Sequence, residues 1–418
     1  MSEIIVHKFG GSCLRERSDI DRIAEIINHF EGVPLIVVSA IWGMTDRLLR
    51  VVNEPLYAGR LVQDLRVQHL RFAPGIDEGP FANLFERVLD GISNELVNLT
   101  SEEPSLHSKN LILAAGERLS ALVVAHRLKE LGLDAHPIGA EDVGLKLKGR
   151  GRSRQIDMGR SNQSLDRRAL IGIPILTGWF GEGEDGELAI LSRGGSNHSA
   201  AAIANLMNAS KLILWKDVDG IKQLNPRWGI ETKSIPYLGY EEATELSKHG
   251  TSVIHPATVS PLMDEGIPIE IRNMNSDLSF GAPTIIGPDL QTNDDVKAIG
   301  CQPGVAIIKS NEPLQSEVLS ILEESDVTAW SMSSTPESMR IILPSHDLHY
   351  LENAIIGEIE YKTAVLSIIG GGSDIHIECA HELISQNGNS QRIIIDTDDL
   401  PRVLSELYQS LFSLQDCR

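Results

Sequence analysis

The stretch Leu191–Ala200, LSRGGSNHSA, sets an arginine, two glycines, serines and an asparagine ahead of an alanine-rich run. A run of that kind starts a helix. A helix start offers unpaired N–H groups and the positive end of its dipole to an anion. Two more glycine turns follow apolar runs, KFGGSC at residues 8–13 and VVSAIWGMT at residues 37–45. Glycine lets backbone N–H groups come close to a phosphate. Lys8, just ahead of the first glycine pair, is placed to neutralise phosphate oxygens. Glu117, in GERLSALVVAHRL (116–128), reads as an acid at a helix opening, suited either to a substrate ammonium or simply to the helix dipole. None of the turns is a Walker A or GxGxxG motif, so the signal lies in their combination.

The elements that must position these residues follow from periodicity. Residues 3–14 read as a strand entering a glycine turn, and 17–30 as a helix with Ile20, Ile23, Ile26 and Ile27 on one face. Residues 34–49 read as a buried strand, a turn and a helix start, and 45–130 as mostly helical. Strands return in 135–144, 173–181, 211–221 and 268–274. Strands this uniformly apolar belong to a parallel sheet covered on both faces, where ligands sit beyond the carboxyl ends. After a polar stretch at 287–297 the pattern changes. Residues 296–310 read as two strands, 313–326 as a helix, and 327–333 and 338–344 as strands. A partial repeat starts at 363–372, with a helix at about 375–386, a strand at 391–396 and a helix at 398–412. Tandem units of this size suggest a regulatory or oligomerising module.

Bulk properties narrow the class. A chain of 418 residues suggests two or three domains, and a net charge of −21 argues against a nucleic-acid surface. The most basic stretch, residues 145–155 with Lys146, Lys148, Arg150, Arg152 and Arg154, lacks interleaved aromatics and reads as a solvated hairpin. Cys13, Cys301, Cys379 and Cys417 are too scattered for a zinc site or a disulfide framework, and Cys13 reads as a packing residue. His198 and His255 have no second ligand at useful spacing, so no metal site is expected. No apolar run reaches membrane-spanning length, and the first residues enter a strand at once, so a cytoplasmic protein is expected.

Together, KFGGSC, VVSAIWGMTDRL, GERLSA, GWFG, SRGGSNHSAA, WKDVDGI, NPR, YEEATELSKHG and VIHPAT resemble, in order and spacing, the aspartokinases of the amino-acid kinase family. The resemblance covers about residues 3–286, and residues 296–418 are similar to the paired ACT units of such enzymes. It implies an α/β amino-acid kinase fold with a central mainly parallel sheet, followed by tandem ACT-like units. The implied domains are a catalytic one at 1–287 and a regulatory, dimerising one at 296–418. The implied reaction is ATP-dependent phosphorylation of the β-carboxylate of L-aspartate, with Mg²⁺ arriving on ATP and a homodimer formed through the C-terminal units.

By position, the resemblance gives Lys8, Gly10, Gly11 and Ser12 the transferring phosphoryl group, with Gly194 and Gly195 as further phosphate-binding turns. Ser39, Thr45, Glu117, Arg193 and Ser196 would bind the amino acid, Glu117 through its ammonium and Arg193 through a carboxylate. Asp217, Asp219, Gly220, Arg227 and Ser252 would frame the nucleotide.

The departures fall on charges. Asn197 stands where the family has an aspartate, Ser252 where it has a lysine, Asn225 where it has the aspartate of DPR, and Lys216 where a small hydroxyl residue is usual. The first two changes roughly cancel, and Lys216 is the candidate replacement for the lost cation; that requires Lys216 to face Lys8. The alternative readings are a kinase activating another small amino acid or carboxylate, and a catalytically impaired amino-acid-binding regulatory paralogue.

Overall fold

The computed structural model describes residues 3–100, 105–192, 194–249, 254–290, 295–325, 327, 329–351, 354, 357–371, 377, 379–387 and 390–412. The chain packs as two compact units that do not follow chain order. The first comprises Met1–Gly149, Arg154–Asp219 and Ala257–Ile285, and the second Arg150–Ser153, Gly220–Pro256 and Ile286–Arg418. These units cut the chain differently from a simple division near residue 287.

The first unit is built on six parallel strands: β1 (Ile4–Phe9), β2 (Val33–Val38), β3 (Ala135–Ile138), β6 (Ile173–Thr177), β9 (Lys211–Lys216) and β11 (Ile269–Asn273), in the order β11-β9-β1-β2-β6-β3. β1 is central, with Lys8 level with Val37 on one side and Leu214 on the other. Successive side chains alternate between faces, so Lys8, Leu214 and Lys216 share one face. His7, Phe9 and Trp215 share the other, where their rings stack at centroid distances of 5.9–6.4 Å. Burial keeps His7 neutral, pushing its pKa down to about 3, helped by the charges of Lys211 and Arg272.

Helices cover the sheet. α1 (Arg17–His29) begins with a reciprocal capping box between Glu16 and Asp19 and buries the predicted isoleucine face. α2 (Met44–Asn53), α3 (Leu61–Phe72), α4 (Ala82–Leu99) and α5 (Leu106–Glu130) fill the long helical stretch. α5 runs inside this layer, and nearly every residue from Ile112 to His126 is buried. Two small antiparallel hairpins, β4–β5 (Leu147–Lys148, Gln155–Ile156) and β7–β8 (Phe180–Glu182, Leu188–Ile190), flank the short α6 (Met158–Ser164). α7 (Gly195–Leu206) starts from Gly194, whose φ of +83° suits glycine, and buries almost its whole surface. The alanines of the motif are what allow that depth.

The second unit contains β10 (Tyr237–Gly239), α8 (Tyr240–Ser247) and a six-stranded antiparallel sheet. α9 (Pro256–Met263) belongs to the first unit apart from its first residue, and β12 (Thr284–Gly287) is divided between the units at Ile285. The sheet's strands are β13 (Val296–Ser310), β14 (Ser331–Thr335), β15 (Ser338–Pro344), β16 (Glu358–Gly370), β17 (His381–Asn387) and β18 (Ser390–Asp396), ordered β14-β15-β13-β16-β18-β17. Each half is one long strand followed by a hairpin, and the halves meet along β13 and β16. α10 (Ser316–Glu324) and α11 (Leu400–Phe412) belong to the first and second halves.

Three expectations are corrected here. Residues 296–310 form one long strand, not two; the break suggested by Pro303 and Gly304 is taken up as register shifts between Pro303 and Ile307. The helix expected at about 375–386 is not formed at 381–386, which pairs with β18 as strand β17; residues 372–376 and 378 lie outside those described. The second repeat, read from the sequence with two strands at 363–372 and 391–396, has three among the described residues, as the first half does. The sequence Asn387-Gly388-Asn389-Ser390 is a strong hairpin signal that outweighs the helical spacing before it.

Candidate active site

Two of the glycine turns, after β1 and β2, meet a further turn at Gly178 after β6, all at the carboxyl ends of these strands. After β1 the chain turns through Gly10–Cys13, with the Cys13 N–H donating to the Gly10 carbonyl at 2.9 Å. A Cβ on Gly10 would lie 3.2 Å from Lys8 Nζ, so the ammonium folds over this turn. A Cβ on Gly11 would lie 2.9 Å from the Ala40 carbonyl oxygen, so the first turn packs directly on the second. The Ser39 N–H donates to Phe9 O at 3.1 Å, and the Trp42 N–H to Leu14 O at 3.0 Å. These bonds lace the two turns together. The third joins through the Gly178 N–H, which donates to Val38 O at 3.0 Å. Gly178 also sits where any side chain would collide with Ser196, 2.5 Å from its Cβ.

The next residue, Trp179, holds a φ of +73°, a conformation that costs a bulky residue energy. Its N–H is held by Ser199 Oγ at 3.2 Å and its carbonyl by the Leu191 N–H at 2.8 Å. The GWFG stretch therefore seats the first turn of α7 over the sheet ends. Gly178 and Trp179 were not singled out as site residues from the sequence, although the Gly–Trp pair marks the strained turn.

The charges in this region are tightly grouped. Lys8 is buried, at 5% exposure, and its pKa is pushed down to about 7, first by burial and then by the charge of Lys216. Lys216, half-buried at the end of β9, is also lowered, chiefly by burial. Both lysine charges act on the buried Cys13 thiol, where burial prevails and raises the pKa. Cys13 is thus both a packing residue and a neighbour of the two cations.

Glu117 is placed differently from its reading as a helix-opening acid. It sits mid-way along α5, 2% exposed, and its carboxylate accepts from the Ala40 N–H. Burial raises its pKa to about 8 despite that bond and the nearby Lys8 charge. Glu117 Oε2 has no hydrogen-bond partner among the described residues, and the same holds for the buried Asn197 Oδ1 in the first turn of α7. Buried polar atoms are rarely left so, and both can accept from a ligand.

The other expected residues are placed as follows. Ser12, Ser39 and Thr45 are half-buried on the first two turns, and Gly195 and Ser196 are buried in the first turn of α7. Asp217 is exposed and pairs with Arg15 at 2.9 Å. Asp219 accepts from Asn273 Nδ2 at 2.8 Å. Gly220, with a φ of +70°, and Arg227 fall in the second unit. Arg227 donates to the Cys301 carbonyl at 3.2 Å, and Asn225 caps its turn by accepting the Arg227 N–H at 3.1 Å. Arg193 and Ser252 lie outside the described residues. His198 is buried in α7, and no cluster among the described residues could hold a metal ion. Within the basic stretch, Lys146 pairs with Glu182 at 2.5 Å. No helix among the described residues is long and apolar enough to cross a membrane.

Residues 3–273 match the model of the Amino acid kinase family. The chain is 30% identical over 317 residues to the chloroplastic bifunctional aspartokinase/homoserine dehydrogenase 2 of Arabidopsis thaliana, covering 72% of this chain and 34% of that protein. It is 28% identical over 373 residues to aspartokinase 3 of Bacillus subtilis, covering 85% of this chain and 81% of that one. The chain thus spans only about a third of the plant bifunctional enzyme but most of the bacterial one. Its fold is similar to E. coli aspartokinase III solved with aspartate and ADP, with a TM-score of 0.82 at 21% identity, covering 98% of this chain and all of that one. The matched span holds β1, the three laced turns, the lysine pair and Glu117: the chain belongs to the amino acid kinase family.

Proposed function

We propose that this chain is an aspartate kinase, transferring the γ-phosphoryl group of ATP to the β-carboxylate of L-aspartate. A carboxylate oxygen attacks the γ-phosphorus, the bond to the β-phosphate oxygen breaks, and the products are 4-phospho-L-aspartate and ADP. The observation that carries this reading is the pairing of opposites in one buried region: two lysines short of anions, and one carboxylate short of a cation. ATP supplies the anion and the amino acid's ammonium supplies the cation.

In this reading Lys8, Gly10, Gly11 and Ser12 hold the transferring phosphoryl group, with Gly194 and Gly195 offering backbone N–H groups at the start of α7. Lys216 stands in for the cation lost at Ser252, sharing the sheet face of Lys8. Asn197 accepts where an aspartate would, without its charge. Ser39, Thr45, Ser196, Glu117 and Arg193 bind the amino acid, and Asp217, Asp219, Gly220 and Arg227 frame the nucleotide. Mg²⁺ would enter with ATP and would help neutralise the phosphate charge during transfer. Positioning and charge, with no covalent intermediate on the enzyme, suffice for this chemistry. Residues 1–287 act as the catalytic domain and 296–418 as an ACT-like regulatory unit through which the chain forms homodimers.

The test is hydroxylamine trapping of the acyl phosphate, with purified protein, Mg-ATP and a panel of small acids headed by L-aspartate. Hydroxamate from aspartate at ordinary kinase rates is the expected result. Hydroxamate from a different acid alone would reassign the acceptor. None from any acid, with nucleotide or aspartate still bound, would favour the impaired regulatory paralogue.

A further inference from the structure

Five arginines line one cleft of the first unit. Arg15 and Arg17 come from the segment entering α1, Arg47 from α2, Arg60 from the 3₁₀ turn Pro55–Arg60, and Arg71 from the last turn of α3. The cleft has a volume of about 470 Å³, within the range of small-molecule sites. Lys8, Glu117, Asn197 and Lys216 do not line it.

The walls bring only two carboxylates, and both are engaged. Asp64 pairs with Arg47, while Glu16 caps α1 and accepts from Ser18 Oγ at 2.6 Å. Arg15 reaches Asp217 at 2.9 Å and lies 4.4 Å above the Trp42 ring, and Arg17 reaches Glu130 at 3.3 Å. Arg60 and Arg71 have no ion pair among the described residues. Like charges held around one cleft repel, and a chain of net charge −21 has acids to spare for neutralising them. Four separate segments nevertheless bring guanidinium groups to this cleft.

We propose that this cleft binds a small anion carrying at least two phosphate groups, at a site separate from the phosphoryl-transfer centre. The wall charge favours such a ligand: an excess of three positive charges over the lining is matched most compactly by a di- or triphosphate. Guanidinium forks hold phosphate oxygens in pairs, which a scatter of lysines would not do. Gln63 and Gln68 add amide groups to the same wall. The ligand also has a route to the catalytic region. Arg15 ties the cleft to Asp217, beside Lys216, so an anion that takes Arg15 loosens that tie.

The probe is sodium tripolyphosphate, titrated by calorimetry into the full chain, with citrate as the carboxylate comparison. Because tripolyphosphate could also enter the phosphoryl-transfer site, the titration is repeated with Lys8→Met/Lys216→Met. That variant is expected to keep one site, whose affinity falls steeply between about 50 and about 200 mM salt. Adding Arg60→Gln and Arg71→Gln should weaken that site at least tenfold. Neither arginine has an ion pair to lose among the described residues, so circular dichroism melting should be unchanged. In the wild type, tripolyphosphate should alter Trp42 emission by drawing Arg15 off the ring, and Trp42→Phe should abolish the change. Loss of all binding in the lysine variant, or binding indifferent to Arg60 and Arg71, would overturn the proposal. Citrate binding equal to tripolyphosphate would overturn the phosphate class. Failure of aspartate kinase activity would leave these outcomes untouched.

Discussion

At the scale of single residues, the region is defined by two groups displaced toward each other's range. Lys8 has its pKa pushed down to about 7 and Glu117 up to about 8, in each case chiefly by burial. A bound phosphate favours charged Lys8, and a bound ammonium favours charged Glu117. Near pH 8 the free protein holds Lys8 largely neutral, so nucleotide binding should take up protons. Near pH 7 it holds Glu117 largely protonated, so amino-acid binding should release them. Calorimetry in buffers of different ionisation enthalpy reads both signs; nucleotide binding at pH 8 without proton uptake would contradict the assignment of Lys8.

Lys216 makes a second residue-scale prediction. Lys216→Thr should lower kcat by about 10²–10³, the usual effect of losing one charge-stabilising donor, and Lys216→Arg should recover part of it. The double change Asn197→Asp with Ser252→Lys should leave the rate of an already compensated enzyme little changed, and raise it greatly only in an impaired one. Lys8 and the glycines around it could be read from the sequence because they follow an apolar strand. The depth of Glu117 could not: a helix buried on all sides carries no stripe, so its periodicity does not say where the helix begins.

At the scale of elements, the three turns act as one because their backbones touch. Gly10 and Gly11 separate function from stability. Gly10→Ala would place a methyl group 3.2 Å from Lys8 Nζ, the far end of a flexible chain, so it should cost activity and leave the melting temperature nearly unchanged. Gly11→Ala would place its Cβ 2.9 Å from a backbone oxygen that cannot swing away, and should destabilise the protein by about 1–3 kcal/mol. Thermal melts beside hydroxamate rates distinguish the two; equal melting losses would refute the distinction. The β1–α1–β2 order was legible because strand and helix periods differ sharply there. β17 was not, because HELISQN has apolar spacing compatible with either period, and its pairing with β18 decides the matter.

At the scale of the whole molecule, the second unit has its own electrostatic anchor. Glu245 on α8 meets Arg392 on β18 through two 2.6 Å contacts and accepts from Ser367 Oγ at 2.9 Å. Burial alone would raise its pKa, but His249, Arg392 and Lys248 outweigh that and hold it well below the usual 4.5. A depressed carboxylate contributes stability above its ordinary pKa and loses it as pH falls below that value. Acid titration should therefore destabilise this unit below about pH 4.5, with the effect reduced in Arg392→Met. At neutral pH that variant should lose about 3 kcal/mol, the cost of stranding a buried charge. Denaturant melts at both pH values check this; a neutral-pH loss under about 1 kcal/mol would argue against a buried anchor. A whole-molecule feature the sequence obscured is the packing of 220–256 with the second unit, since a contact between distant segments leaves no periodic trace.

The mirrored order of the six-stranded sheet also bears on how the chain is made. β13 pairs with β16, although β16 begins nearly fifty residues after β13 ends, and all of β14, α10 and β15 are synthesised between them. Contacts this distant in sequence form late and slowly. Until β16 emerges, β13 presents one open, strongly apolar edge, the kind of edge that captures other chains. Shortening the chain after residue 350 would make that exposure permanent, leaving the nascent first half dependent on chaperones rather than on its own second half.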